Sequence, residues 1–158
     1  MTNSLFRNTF SDALDNDFCN GTIENTVFID VNADAIDVSG TQLEVKNVKV
    51  YKAGDKGLSI GERSNVTAEN VFVEQADFGV ASKDLSKIVI DNIKINKTLY
   101  GLAAYQKKPE YGPAELEASN VEFKEVKKEI LCQKGSSVAV EGKKYPGEEI
   151  DIEKLYTK

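Results

Sequence analysis

The stretch Asp34–Asn47 (DAIDVSGTQLEVKN) decides the fold, because it is one turn of a pattern that repeats along the chain. Within it, the apolar residues Ile36 and Val38 alternate with polar residues, and an asparagine ends the stretch. Alternation with a period of two is typical of β-strands that bury one face. A sequence that repeats such a unit every ~20–50 residues has the signature of a solenoid or a related repeat fold.

Two independent sets of markers give the length of the repeat. The apolar residues that open the successive series are separated by 22, 22, 22, 22 and 28 residues: Leu14, Ile36, Leu58, Val80, Leu102 and Ile130. The recurring asparagines are separated by 22, 23, 22 and 28 residues: Asn25, Asn47, Asn70, Asn92 and Asn120. In both sets the last interval is the longest. The stretch Tyr105–Pro113 (YQKKPEYGP) lies in the last interval of both sets, contains two prolines and a glycine, and is predicted to be an inserted loop.

Equivalent strands in successive repeats must be parallel, because the chain completes one full circuit between them. The sequence therefore predicts an all-β fold, a right-handed parallel β-helix formed by a single chain, with about five to six coils of ~22 residues and three short strands per coil. The asparagines are expected at corners, where asparagine tolerates left-handed backbone, and should form a ladder of stacked amides. A shorter ladder of hydroxyl groups is predicted for Thr41, Ser64 and Ser86.

We expect one domain, residues 1–158. Residues 1–11 are interpreted as the end of a preceding coil or as an open N-terminal edge, residues 12–140 as the regular coils, and residues 141–158 as a closing segment. An open edge of unpaired strand backbone is a template for pairing with another chain. We therefore expect either a natural protein that is longer on its N-terminal side, or an end-to-end partner that could be a second copy of the chain.

Composition narrows the possible partners. The chain has a net charge of −6, which disfavours binding to nucleic acid phosphates. No apolar run approaches the ~20 residues of a membrane-spanning helix, and the first twenty residues do not resemble a secretory leader. The absence of histidine excludes His-dependent catalytic triads and ordinary zinc sites. Cys19 and Cys132 lie far apart in the sequence and are interpreted as two buried or half-buried free thiols.

The outward-facing positions of the first strand in each coil form a graded surface. Its first two coils are rich in carboxylates: Asp12, Asp15, Asp17, Asp34 and Asp37. Its middle carries charges of both signs: Lys56, Glu62, Arg63, Lys83 and Asp84. Its far end, with the inserted loop, is aromatic: Tyr100, Tyr105 and Tyr111.

Carboxylates that are stacked on neighbouring strands repel each other and require compensation. One interpretation is a bound hard cation, with Ca²⁺ as the candidate cofactor, because calcium prefers oxygen ligands. The candidate metal ligands are Asp12, Asp15, Asp34 and Asp37. The alternative is neutralisation by Lys56 and backbone amides without a metal.

The middle of the surface supplies the candidate catalytic residues: Asp37, Lys56, Glu62 and Lys83. A lysine near carboxylates could remove the proton α to a sugar carboxylate, as in a lyase. Asp37 and Glu62 could instead act as the carboxylate pair of a glycosidase. In the structural alternative, Lys56 and Lys83 are only ion-pair partners of neighbouring acidic residues.

The candidate substrate-binding residues are Arg63 and the three tyrosines at the far end: Tyr100, Tyr105 and Tyr111. Tyrosine rings have an apolar face and a polar tip, so they could stack against a sugar ring. The alternative is that Tyr105 and Tyr111 hold the inserted loop in place.

The repeat length, the paired short strands, the corner asparagines and the outward Asp column together resemble the pectate-lyase-like superfamily of right-handed β-helices. Four stretches also resemble a bacterial subgroup of such repeat proteins: Ser11–Phe18, Asp55–Ser64, Gly79–Ser86 and Gly101–Gly112. The resemblance implies polysaccharide targets and an extracellular or cell-surface location as part of a longer protein. It also implies that the calcium-bearing face would fall on Asp15 and Asp37, and the basic catalytic residue on Lys83 or Arg63.

The chain departs from the enzymes of that superfamily in having few coils, one long loop and no pectate-lyase arginine motif. We therefore predict a carbohydrate-binding or carbohydrate-active module of a bacterial surface or secreted protein, whose ligand face is the first strand of each coil. Binding without catalysis is favoured for so short a chain, and an enzyme would be a polysaccharide lyase or hydrolase. The alternative is a structural or assembly solenoid that packs against a partner chain through its N-terminal edge.

Overall fold

The computed structural model describes residues 1–157, which contain twelve β-strands and one short helix. The elements in chain order are β1 (Leu5–Thr9), β2 (Leu14–Asp17), β3 (Asn20–Val31), β4 (Ile36–Ser39), β5 (Gln42–Ala53), β6 (Lys56–Gly61), β7 (Asn65–Lys83), β8 (Lys87–Tyr105), β9 (Glu115–Lys124), β10 (Lys128–Cys132), β11 (Ser137–Val140), β12 (Lys143–Tyr145) and α1 (Ile152–Tyr156). Lys158, the last residue of the predicted closing segment, lies outside the described residues.

The strand registers confirm the predicted repeat. The residues that open the series are direct partners in parallel pairs, from Leu14 opposite Ile36 through Leu58, Val80 and Leu102. The pairing of Leu102 with Ile130 then skips the inserted loop. The fold is thus all-β, a solenoid of about six turns of parallel stacked coils, and it is compatible with the predicted parallel β-helix.

The strands are longer than the three short ones predicted for each coil. β3 continues through Asn25, which has a positive φ of 51°, and pairs with β5 on both sides of that residue. β7 and β8 each extend over 19 residues. A single left-handed residue turns the chain but interrupts the hydrogen-bonded ladder for only one position, so consecutive short strands merge.

The strands that contain the first series form one side of the solenoid. They are β2, β4, β6, residues 78–83 of β7, residues 100–105 of β8, and β10. We call the outward surface of these strands face 1. Their inward side chains, such as Ile36, Leu58 and Val80, are completely buried in the core. Because side chains alternate along a strand, the residues between them point outward onto face 1.

The asparagine ladder is confirmed for four of its five members. Asn47 donates its side-chain amide to Asn25 Oδ1 at 3.1 Å, Asn70 donates to Asn47 at 3.0 Å, and Asn92 donates to Asn70 at 2.7 Å. Asn120, the fifth member, donates to Asp91 Oδ1 at 2.7 Å instead. All five asparagines have the left-handed backbone expected at a corner.

The predicted hydroxyl ladder is also present, with the backbone as donor. The N–H of Thr41 donates to Ser64 Oγ at 3.0 Å, and the N–H of Ser64 donates to Ser86 Oγ at 3.1 Å. Each hydroxyl oxygen therefore satisfies a buried backbone donor of the preceding coil.

The C-terminal segment forms two elements, β12 and α1, which pack against different parts of the solenoid. β12 pairs antiparallel with β11 and covers the last coil. The chain then returns along the solenoid, so that α1 packs on face 1 over Phe78, Ala81, Ala103, Tyr105 and Leu131. The period-two alternation places Phe78, Ala81, Ala103 and Tyr105 at outward positions, where the structure has them, but it does not predict the helix that covers them.

Cys19 and Cys132 are both free thiols, as predicted, and Cys132 is buried; Cys19 is exposed, so the prediction that it is at least half-buried is wrong. Within residues 1–157, no helix combines the length and apolar character required to cross a membrane.

Candidate functional site

Face 1 carries a cluster of buried and half-buried charges beside α1. We call it the face 1 cluster, and its members are Asp34, Asp37, Asp55, Lys56 and Lys83. Parallel stacking brings these residues together from three coils, because positions 22 residues apart lie directly beside each other. Lys56 is only 2% exposed and Lys83 only 8%.

Lys56 is paired with two carboxylates. Its Nζ lies 2.5 Å from Asp55 Oδ2 and 3.5 Å from Asp34 Oδ1. Asp34 Oδ1 also accepts the backbone N–H of Lys56 at 2.9 Å, and the N–H of Asp34 donates to Asp12 Oδ1 at 2.7 Å. The stacked carboxylates of Asp12 and Asp34 are thus compensated by backbone amides and by Lys56, the alternative to a cation that the sequence left open.

Burial disfavours both charges of this pair, so it acts on the two pKa values in opposite directions. Burial raises the pKa of Asp34 to about 6, although Lys56 acts to lower it. Burial also acts to lower the pKa of Lys56, but the carboxylates of Asp34 and Asp55 together outweigh it and raise that pKa. The lysine therefore remains an ammonium ion at neutral pH, while the carboxyl group of Asp34 titrates in the mildly acidic range.

Lys83 is paired with Asp37 at a longer distance than Lys56 is with its two carboxylates. Its Nζ lies 3.8 Å from Asp37 Oδ1, which is longer than a hydrogen bond. A β-carbon on Gly61 would lie 3.5 Å from Lys83 Cε, so the lysine side chain extends across that glycine toward Asp37. Burial lowers the pKa of Lys83 and outweighs the opposing effect of the Asp37 carboxylate, and the nearby charge of Lys56 makes a smaller contribution in the same direction as burial.

Ser59 lies beside Asp37 on the paired strand β6 and is completely buried. Among the described residues, none forms a hydrogen bond with its Oγ. A buried hydroxyl without a partner costs ~1–3 kcal/mol. The period-two alternation puts Ser59 at an outward position of face 1, but Ser59 is not among the residues predicted to have a function.

The inserted loop is fastened next to the cluster by three candidate residues and one neighbour. Asp84 Oδ1 accepts the backbone N–H groups of Lys107 and Lys108, each at 2.7 Å. Glu62 forms a salt bridge with Lys108. Arg63 Cζ lies 5.5 Å from the centre of the Tyr111 ring. Glu62, Arg63 and Tyr111 thus hold the loop, and the predicted substrate-binding and catalytic roles of these residues stay predictions.

The other two tyrosines lie under or beside α1. Tyr105 is completely buried, and its hydroxyl lies 2.6 Å from the hydroxyl of Tyr156. Tyr100 is half-buried and stacks on Phe78, with ring centres 4.7 Å apart. Lys107 Nζ lies 4.3 Å from the centre of the Tyr156 ring, so the helix and the loop meet at one edge of the cluster.

The structure offers limited support for the predicted calcium ligands. In the part of the chain that the structure describes, no group of three or more acidic or cysteine side chains is arranged to hold a metal ion. Asp12 and Asp34 already accept backbone N–H groups. Partial burial raises the pKa of Asp15, and the carboxylates of Asp17 and Asp37 contribute to this shift. Calcium binding at Asp15 and Asp37 therefore stays a prediction.

Four of the five cluster members were predicted from the sequence, and Asp55 was not. The neighbours of the cluster that the sequence did not indicate are Ser59, Lys107 and Tyr156. The apolar spacing of Ile152, Leu155 and Tyr156 is a signal for a helix with one apolar side. No periodic signal indicates which surface that side contacts, because α1 lies outside the repeat.

Comparisons with protein-family models, with curated proteins and with solved structures returned no match for this chain. The chemistry of the face 1 cluster is therefore the basis for inferring a function.

Proposed function

We propose that this protein binds carbohydrate through face 1, at the cluster between α1 and the inserted loop. The observation that carries the proposal is the burial of Lys56 and Lys83 on an outward surface of the solenoid. Removing a charge from water costs several kcal/mol unless it is well paired. Elsewhere the solenoid uses exposed pairs such as Lys94 with Glu122, whose side chains are 57% and 61% exposed. A scaffold has no need for the costlier arrangement, which supports a functional reason for it.

The chemistry of the cluster also suits sugars. A sugar hydroxyl is both a donor and an acceptor, so a surface that alternates ammonium and carboxylate groups can bind it in both capacities. Membership of the pectate-lyase-like superfamily, a bacterial origin and an extracellular or cell-surface location belong to the same proposal. They rest on the repeat and on the stretches that resemble that superfamily.

We favour binding over catalysis. Of the four candidate catalytic residues, Lys56 is paired with Asp34 and Asp55, and Glu62 is paired with Lys108. These pairs limit the freedom of both residues to exchange protons with a substrate. Asp37 and Lys83 keep the greater capacity for new hydrogen bonds.

A glycan array tests the proposal. The wild-type protein should bind at least one class of oligosaccharide, and Lys83→Ala should weaken that binding by about tenfold or more, since a hydrogen bond to a charged group is lost. Lys94→Ala is the matched control, because it removes an exposed lysine that pairs with Glu122 away from the cluster. Thermal unfolding should show that both variants are folded. The absence of glycan binding by the wild type, or unchanged binding by Lys83→Ala, would contradict the proposal.

A second candidate function is assembly through the N-terminal edge, and a specific observation favours it. Among the described residues, seven large apolar side chains are exposed, and four of them lie within the first 18 residues: Met1, Leu5, Phe10 and Phe18. β1 pairs with β3 and β2 pairs with β4, which leaves the opposite edge of both strands free among the described residues. Unpaired strand edges with apolar side chains are typical sites of pairing with another chain.

A further inference from the structure

We propose that the ligand of the face 1 cluster is a neutral sugar, one hydroxyl group of which bridges Lys83 and Asp37. This inference rests on the proposed carbohydrate-binding function and names the class of carbohydrate. It differs from the acidic polysaccharides that are the substrates of lyases.

The distance between the two side chains suits a bridging hydroxyl. Lys83 Nζ and Asp37 Oδ1 are 3.8 Å apart, too far for a direct hydrogen bond. A single oxygen atom can lie within hydrogen-bond distance of both. A hydroxyl there would accept a hydrogen bond from the ammonium group and donate one to the carboxylate. The side chain of Asp37 is 28% exposed and that of Lys83 is 10% exposed, so a ligand group would approach the pair from the side of Asp37.

A carboxylate group on the ligand would not fit the same position. An ionised carboxylate only accepts hydrogen bonds, so it could pair with Lys83 but would repel Asp37. A hydroxyl group satisfies both partners at once. The geometry thus favours the neutral group over the acidic one.

The balance of charges around Lys83 and Asp37 also favours a neutral ligand group over an acidic one. Lys56 is occupied by Asp34 and Asp55, which leaves it little capacity for an anionic ligand. Counting Lys83, Asp37 and the neighbouring Lys107 as well, three ammonium groups face three carboxylates, so the site has no surplus of positive charge. The whole chain, with its net charge of −6, also repels polyanions.

Ser59 provides an independent indication that polar groups at this position are incompletely satisfied. Its buried hydroxyl lies beside Asp37 in the paired strand and lacks a hydrogen-bond partner among residues 1–157. Ser59 and the separated Lys83–Asp37 pair thus lie on adjacent coils of one face. The exposed pair of Lys94 and Glu122, by contrast, is in direct contact at 2.8 Å.

The test compares matched oligosaccharides by titration calorimetry, with and without Ca²⁺. The probes are short oligomers of glucose, galactose and mannose, and the corresponding oligomers of their uronic acids. We expect a neutral oligomer to bind at least about tenfold more tightly than its uronic acid counterpart. Lys83→Ala and Asp37→Ala should each weaken that binding by about tenfold or more, whereas Lys94→Ala should leave it unchanged.

Asp37→Asn provides a readout that a purely structural role would not change. It removes the negative charge but keeps the side-chain shape, so the preference for neutral over acidic oligomers should decrease. This variant also keeps the inference testable if Lys83→Ala fails to fold. Tighter binding of a uronic acid oligomer that depends on Lys83 would overturn this inference and leave the carbohydrate-binding proposal intact. No binding of either kind of oligomer would overturn both.

Discussion

Asp34 is the residue in which burial and pairing compete most directly. Its carboxyl group faces the ammonium group of Lys56, accepts a backbone N–H, and is almost completely buried. Burial prevails, because the pKa of Asp34 is about 6 in the folded protein, against an ordinary value of 3.8. The folded state thus binds this proton more tightly than the unfolded state does.

This shift predicts a pH-dependent contribution to stability. A group whose folded pKa is raised stabilises the protein when protonated, so the contribution of Asp34 is complete below pH 3.8 and is lost as the pH rises to about 6. At ~1.4 kcal/mol per pKa unit, the loss amounts to up to ~3 kcal/mol. The asparagine of Asp34→Asn cannot titrate. The unfolding free energy of the wild type, measured in urea, should therefore decrease relative to that of the variant as the pH rises from 3.8 to about 6.

Asp91→Asn is the control for this prediction. Hydrogen bonds from Asn120 and Ser119 lower the pKa of Asp91, so its contribution has the opposite sign and is lost as the pH falls. A difference between wild type and Asp34→Asn that does not change with pH would contradict the assignment of the raised pKa to Asp34.

At the scale of the element, the corners depend on asparagine for two separate reasons. Asn70 has a φ of 56°, which is unfavourable for most residues with a side chain. Its amide donates to Asn47, and its carbonyl oxygen accepts from Asn92. The corner therefore combines a backbone requirement with two hydrogen bonds between coils.

Substitution of Asn70 separates these contributions. Asn70→Ala loses both hydrogen bonds and places alanine in left-handed backbone, so the unfolding free energy should fall by about 2–3 kcal/mol. Asn70→Gly loses the hydrogen bonds but tolerates the positive φ, so it should be the more stable of the two variants. Chemical denaturation of both would test this. Wild-type stability of Asn70→Ala would contradict a structural role for the ladder.

The extent of each strand was harder to predict than its register. Asn25 and Asn47 were correctly placed at corners, since a residue that tolerates positive φ recurs once per turn. The merging of short strands across those corners, as in β3, depends on how quickly pairing resumes after one left-handed residue. How soon pairing resumes is a property of the stacked backbone, and no residue type in the sequence indicates it.

At the scale of the whole molecule, the two ends of the solenoid differ. β12 pairs antiparallel with β11 at the C-terminal end. At the N-terminal end, the edge of β1 opposite β3 pairs with no other strand of residues 1–157, and the nearby Phe10 and Phe18 are 94% and 79% exposed. Apolar surface beside a free strand edge favours association with another chain.

We therefore predict concentration-dependent self-association in sedimentation experiments. Leu5→Lys combined with Phe10→Ser should reduce it, because a lysine on an edge strand opposes pairing and the serine removes apolar surface. Leu85→Ser combined with Leu99→Ser is the control, since both leucines are exposed but lie in later coils. A wild-type protein that remains monomeric at all concentrations would contradict association between copies at this edge.

By itself, the sequence determined the 22-residue repeat, the parallel register of the coils and the corner positions of the asparagines. It also brought Asp34, Asp37, Lys56 and Lys83 to one face. These features follow from periodicity, because residues one repeat apart must lie side by side in any parallel solenoid.

Only the tertiary structure decided how these side chains are buried and paired. The covering of Tyr105 by Tyr156, 51 residues later in the chain, comes from a helix that lies outside the repeat. The 3.8 Å gap between Lys83 and Asp37, and the absence of a hydrogen-bond partner for Ser59 among the described residues, depend on side-chain packing. Such contacts are neither local nor periodic, so the sequence pattern places the residues together but cannot specify the distances on which binding depends.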